Sequence, residues 1–144
     1  MDDGKTFKPM EKVVNILLVE DDQLDAIDIR RTLDKMKMLY HLEVTPNGEE
    51  ALKYLEHTTI VPDVVLVDLN MPKMNGLEFL AKLKSEDRWK ELKSFVITTS
   101  DEKTDRETAE SLGVSGYIIK PLKLNNAKSL DAFNLMIDLM NMKN

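Results

Sequence analysis

The stretch Val64-Val65-Leu66-Val67-Asp68-Leu69-Asn70-Met71-Pro72 is a short apolar run with no helical period, and it ends abruptly on a carboxylate. Such a run reads as a strand buried on both faces, with Asp68 emerging at the edge of a sheet where a ligand can reach it.

Outward from this strand the same unit recurs. On the N-terminal side, Val13 to Val19 is another apolar run, broken only by Asn15 and ending on Glu20-Asp21-Asp22. Ala26, Ile29, Leu33 and Met36 follow at helical spacing, with Asp22 placed to cap the helix. Leu42 and Val44 flank Glu43 in a weaker, edge-type strand, and Asn47 with Glu50 opens a helix that turns Ala51, Leu52 and Leu55 inward. On the C-terminal side, Gly76 to Lys84 reads as a helix with Leu77, Leu80 and Ala81 on one side, and residues 85–93, which include Trp89, read as a polar connection. Ser94 to Thr98 is a fourth strand, running into the hydroxyls Thr99 and Ser100. Thr104 to Leu112 reads as a helix with almost no apolar stripe, closed by Gly113. Gly116 to Ile119 is a fifth strand leading into Lys120-Pro121, and a last helix runs from about Asn126 to Met142. Strands alternating with helices predict one α/β domain over residues 13–144, a doubly wound and largely parallel sheet. Residues 1–12 lack periodicity and read as a loose arm.

Composition narrows the function. A chain of 144 residues is long enough to bury roughly two thirds of its unfolded surface without staples. The absence of cysteine excludes disulfides and thiol chemistry and suits a reducing interior. Twenty basic against 26 acidic residues give a net charge of -6, which argues against nucleic-acid binding through bulk charge. No apolar run approaches the roughly 20 residues of a bilayer span, and the first residues are too polar for a secretory signal. A cytoplasmic protein with neither a membrane nor a nucleic-acid partner is expected.

In a sheet of this kind ligands bind beyond the carboxyl ends of the strands, near the point where strand order reverses. The residues expected there are Glu20, Asp21 and Asp22 after strand one, Asp68 after strand three, Thr98 after strand four and Lys120 after strand five. Two carboxylates about 4 Å apart repel by roughly 4 kcal/mol at an effective dielectric near 20, so such a cluster calls for a cation or a proton. Oxygen ligands without His or Cys favour Mg2+, which is commonly completed by phosphate oxygens. One carboxylate can then attack phosphorus while Lys120 and the Thr98 hydroxyl balance the charge of the product. The chemistry implied is phosphoryl transfer onto Asp68. A single acid after a strand is more often a helix cap, and Asp22 is read as one; three further acids, Glu20, Asp21 and Asp68, at two strand ends exceed what a cap needs.

With Glu20-Asp21, Asp68, Met71-Pro72, Gly76, Thr98 and Lys120-Pro121 in this order and spacing, the chain resembles the receiver domains of two-component response regulators from Asn15 to about Met142. The resemblance implies a flavodoxin-like (βα)5 fold with strand order 2-1-3-4-5. It implies that Asp68 accepts a phosphoryl group from a sensor histidine kinase or a histidine phosphotransfer protein, and that the chain is a signalling phosphoacceptor rather than an enzyme. Glu20, Asp21, Asp68 and the backbone carbonyl of Asn70 would hold Mg2+, and Pro72 with Gly76 would keep that carbonyl in place. Lys120 would pair with the phosphorylated carboxylate, Thr98 would swing toward it, and Tyr117 would move inward as Thr98 leaves room. Asn70 and Ser100 occupy positions that tune dephosphorylation, and Thr99 is bulkier than the commonest residue at its position. The connections at residues 57–62 and 85–93 resemble those of the small stand-alone regulators paired with bacterial phytochromes, and output would be by protein contact or by relay of the phosphoryl group to a further histidine.

Two rivals come from other classes. A dehalogenase-type phosphohydrolase needs a second acid two residues after its aspartate, where this chain has Asn70. A pseudo-receiver acting only as a binding module would have lost part of the acidic set, and none is missing. His41 and His57 lack metal-pair spacing, and Lys37, Lys73 and Lys82 read as solvated faces. In the last helix Leu130, Phe133, Ile137 and Met140 make one stripe, widened by Leu135, Met136, Leu139 and Met142 beyond the ~100° that one core face needs. The surface of helix 4, strand 5 and helix 5 is therefore expected to bind a partner or a second copy of the chain.

Overall fold

A computed structural model describes residues 12–124 and 129–142. The arm, apart from Lys12, and the expected helix start at Asn126 lie outside the described residues. Five parallel strands, β1 (Val14–Val19), β2 (Tyr40–Thr45), β3 (Val64–Val67), β4 (Lys93–Thr98) and β5 (Gly116–Ile119), form one sheet in the order β2-β1-β3-β4-β5. They alternate with helices α1 (Gln23–Asp34), α2 (Gly48–His57), α3 (Gly76–Ser85), α4 (Lys103–Ser111) and α5 (Leu130–Met142). This is the flavodoxin-like receiver architecture, with strand order reversing between β1 and β3.

The period of two along each strand divides the core in two layers. Ile16, Leu18, Leu66, Phe95, Ile97 and Ile118 face α1 and α5, where they meet Ile29, Leu33, Leu135 and Leu139. Leu17, Val19, Val65, Val67, Val96 and Tyr117 face the other way, against Ala51, Leu55, Phe79, Leu80, Leu83 and Ala109. All of β3 is buried, as a strand covered on both faces must be. Among the described residues, no helix is long and apolar enough to cross a membrane.

Local signals start and stop the helices. Asp22 accepts hydrogen bonds from the backbone N–H groups of Leu24 and Asp25, and Asn47 accepts one from Glu50. Asn75 and Glu78 close a reciprocal capping box at α3, a start signal the sequence reading passed over. Gly113, at φ +89°, follows the last turn of α4, where a left-handed residue is needed.

Several expectations change. Val13 lies outside β1 and is exposed, and α4 begins at Lys103. On α3 the buried side is Phe79, Leu80 and Leu83, while Ala81 is exposed; the larger side chains take the core and rotate the helix by about one position. Residues 85–93 are not merely polar, because Trp89 is 6% exposed and packs into the second core layer. On α5, Ala132, Leu135 and Leu139 are buried, and the stripe read first, Leu130, Phe133, Ile137 and Met140, faces outward. Periodicity could not choose between two apolar faces. The rotation is fixed by Asp131, whose Oδ2 accepts a hydrogen bond from the Tyr117 backbone N–H at 2.8 Å.

Gly76 sets how closely α3 approaches the end of β3. A Cβ built on it would lie 2.2 Å from the Asp68 carbonyl oxygen and 2.8 Å from Leu69 Cα, and its N–H donates to the Leu69 carbonyl at 3.1 Å. In an unobstructed helix Gly→Ala stabilises a protein by about 0.4–1 kcal/mol. Here Gly76→Ala is expected to destabilise by about 1–3 kcal/mol in urea unfolding, because backbone atoms must move aside. A stabilised variant would contradict this packing.

Candidate functional site

Three charged groups of the site, Glu20, Asp68 and Lys120, are each carried by the residue that follows a strand, and one further backbone hydrogen bond holds each there. The Glu20 N–H donates to the Thr45 carbonyl at 2.9 Å, Asp68 to Val19 at 2.9 Å, and Lys120 to Thr98 at 2.8 Å. Because β1 and β3 are neighbours at the point of reversal, Glu20 and Asp68 come to lie side by side. Glu20, Asp21 and Asp68 each offer an oxygen, and these oxygens lie within 4.8 Å of one another. Glu20 and Asp68 are buried, at 3% and 6% exposure, and Asp21 is open to solvent.

The Lys120 ammonium reaches into this group from β5. Its Nζ lies 2.7 Å from Glu20 Oε1, 2.7 Å from Asp25 Oδ2 and 3.4 Å from Asp68 Oδ2. Asp25 was not anticipated. It occupies the first turn of α1, three residues after the Asp22 cap, so the helix start aims it back toward the strand ends. That spacing is the signal that could have found it. The Lys120–Pro121 peptide bond is cis.

Burial pushes the Glu20 carboxyl up to about 7, and the Asp68 charge adds to that, against the lowering effect of hydrogen bonds from Lys120 and the Asp22 backbone. Burial alone would lower the Lys120 ammonium, but its hydrogen bonds to Asp25 and Glu20 and the charge of Asp68 outweigh this and hold it well above the usual lysine value. One ammonium thus contacts three carboxylates, with Asp21 close to two of them. A hard divalent cation fits the Glu20, Asp21 and Asp68 oxygens by charge, by donor type and by spacing.

Beyond the acids, Thr98 is fully buried, and its Oγ1 accepts a hydrogen bond from the Ser100 N–H at 3.3 Å. Tyr117 already lies inside, at 2% exposure, with its hydroxyl donating to the Ser100 carbonyl at 2.8 Å. The Arg106 guanidinium covers the Tyr117 ring at 4.7 Å and lies 3.8 Å from Asp131. Nothing in the sequence pattern marks Arg106. Ser100 Oγ donates to Asp105 at 2.7 Å. Asn70 and Thr99 are exposed beside the acids, and the Asn70 N–H points to Asp68 Oδ1 at 3.4 Å.

The raised Glu20 carboxyl makes a pH prediction. Between its unperturbed value of 4.5 and about 7 the folded metal-free protein holds a proton that the unfolded chain has lost. The contribution of Glu20 to stability therefore declines as pH rises through that window and is gone above it. An NMR titration of the Glu20 side-chain carboxyl carbon in metal-free protein is expected to give a midpoint near 7. A midpoint at the unperturbed value would contradict this account of the site.

Known proteins share this fold. The response regulator receiver domain matches residues 16–130. The probable methanogenesis regulatory protein FilR2 of Methanothrix harundinacea is 33% identical over 132 residues, which cover 89% of this chain and 84% of that protein. A two-component response regulator from Legionella pneumophila superposes with a TM-score of 0.76 at 34% identity, covering 90% of this chain and 99% of that one. The bacteriophytochrome response regulator AtBRR superposes with a TM-score of 0.75 at 32% identity, covering 90% and 94%. Sheet order, the charged groups at the strand ends and sequence similarity over most of its length agree: this chain belongs to the response regulator receiver domains of two-component signalling.

Proposed function

We propose that Asp68 is the phosphoacceptor of a histidine-to-aspartate relay. The observation that carries this reading is the position of Asp68, buried at the strand-order reversal with Glu20 and Asp21 on one side and Lys120 on the other. A carboxylate oxygen of Asp68 forms a bond to phosphorus as the P–N bond of a phosphohistidine breaks. The electron pair of that bond returns to the imidazole nitrogen, which is then protonated from solvent. Glu20, Asp21 and the Asn70 carbonyl would hold Mg2+ together with Asp68. When bound, Mg2+ supplies charge neutralisation at the phosphoryl oxygens. Lys120 balances the acyl phosphate, and Thr98 gives it a hydroxyl donor. Asn70, Thr99 and Ser100 would set how readily water reaches the acyl phosphate. The kinase or phosphotransfer partner would be of the type that serves small phytochrome-paired regulators, and the reaction would take place in the cytoplasm.

The new charge, about -1.5 to -2, then acts on the neighbouring structure. Of α4 only Ala109 is buried, so this helix has little packing to lose by shifting. Arg106 ties Tyr117 to α4 and to α5 through Asp131, which supports a route from the strand ends to these helices. Support for a partner surface here is the outward stripe of α5 together with Ile119 of β5, all more than a third exposed. A second copy of the chain covering that face is the reading we favour.

Acetyl phosphate with Mg2+ is expected to add one phosphoryl group per chain, which decays slowly and without multiple turnover, and Asp68→Asn is expected to add none. Sustained turnover would indicate a phosphohydrolase, and a labile adduct on Asp68→Asn would remove Asp68 from the role. On the phosphorylated protein, light scattering is expected to show a shift toward dimer that Phe133→Ser weakens. A strict monomer at high concentration in both states would contradict the dimer surface.

A further inference from the structure

The Lys120 ammonium has three protons, and two of them are committed to short, charge-assisted contacts with Glu20 and Asp25, both at 2.7 Å. The third carboxylate, Asp68, stands back at 3.4 Å. Glu20 belongs to the set of oxygens grouped for a cation; among the described residues Asp25 does not. Asp25 is instead an acid on the first turn of α1, about one third exposed, whose side chain reaches across to the end of β5. The pair stands at the wall of an open cleft that Thr99 and Pro121 also line, so the lysine side chain has room to swing.

We infer that Asp25 is a positioning residue, a competing carboxylate that holds the Lys120 ammonium back from Asp68 until a phosphoryl group draws it across. The inference rests on Asp68 being the acceptor. Before transfer, Lys120 shared with Asp25 leaves both Asp68 oxygens less encumbered. After transfer, the phosphoryl oxygens out-compete Asp25 for the ammonium, and the link between α1 and β5 opens. Asp25 thereby favours the unphosphorylated state.

The test is the affinity of the full-length protein for beryllofluoride, a phosphoryl analogue that binds an aspartate, at saturating Mg2+. Asp25→Asn keeps the side-chain volume and removes the competing charge, and is expected to bind about five-fold tighter, the loss of one partly exposed, charge-assisted contact. Asp25→Glu restores the charge within reach of Lys120 and is expected to return to wild-type affinity. Asp28→Asn removes an equal charge from α1 with no contact to Lys120, and should stay within about two-fold, since exposed charge is screened. Asp25→Ala repeats the test should Asp25→Asn fold poorly. An Asp25→Asn protein that binds as wild type or more weakly overturns the inference and leaves Asp68 as acceptor, and so does an equal gain in Asp28→Asn. A wild type that binds no beryllofluoride overturns the acceptor reading, and this inference with it.

Discussion

One ammonium group holds the working edge of the sheet together. Lys120 is contacted by Glu20 from the end of β1, Asp25 from α1 and Asp68 from the end of β3. Without it, buried carboxylates would repel one another by several kcal/mol in a setting where water cannot screen them. With it, the cluster is still short of positive charge. Burial, with the charge of Asp68 beside it, holds the Glu20 carboxyl up to about 7. A site in that condition favours the uptake of a cation or of a proton.

The fold exists, from this viewpoint, to hold those charges in register. Parallel strands with side chains buried on both faces cannot shift along one another without exposing a whole layer. The residue after each strand is consequently fixed by the same ladder that fixes the core. Gly76 adds a second constraint, because its bare Cα lets α3 press directly on the backbone of Asp68 and Leu69. Rigidity on the β3 side contrasts with α4, which contributes one buried side chain to the core. A rigidly held carboxylate next to a weakly held helix is an arrangement in which a local change of charge can become a change of surface.

Most of this was legible in the sequence because it rests on short-range pattern. The apolar runs of β1, β3, β4 and β5, the caps Asp22 and Asn47 and the acids after strands one and three each declare themselves within a few residues. Pattern reading failed where two faces of a helix are both apolar. On α5 the decision between Leu135–Leu139 and Phe133–Ile137 is made by Asp131 bonding to Tyr117, a contact between residues 14 apart. Trp89 was misread because a large side chain can reach the core from a polar segment. Arg106 was missed because its partner, Tyr117, comes from another element; for Asp25 the spacing from the Asp22 cap points it toward the strand ends but cannot name Lys120 as its partner.

The receiver family supplies the frame, and Asp68 is where the account stands or falls. An acyl phosphate on an aspartate is reduced by borohydride to the alcohol, which leaves homoserine in place of that residue. Treating the acetyl-phosphate-labelled protein in this way and sequencing its peptides by mass spectrometry reads the acceptor directly. Homoserine at position 68, and nowhere else, is the result the account predicts. Homoserine at Asp21 or Asp25, or none at position 68 despite a phosphorylated chain, would contradict it.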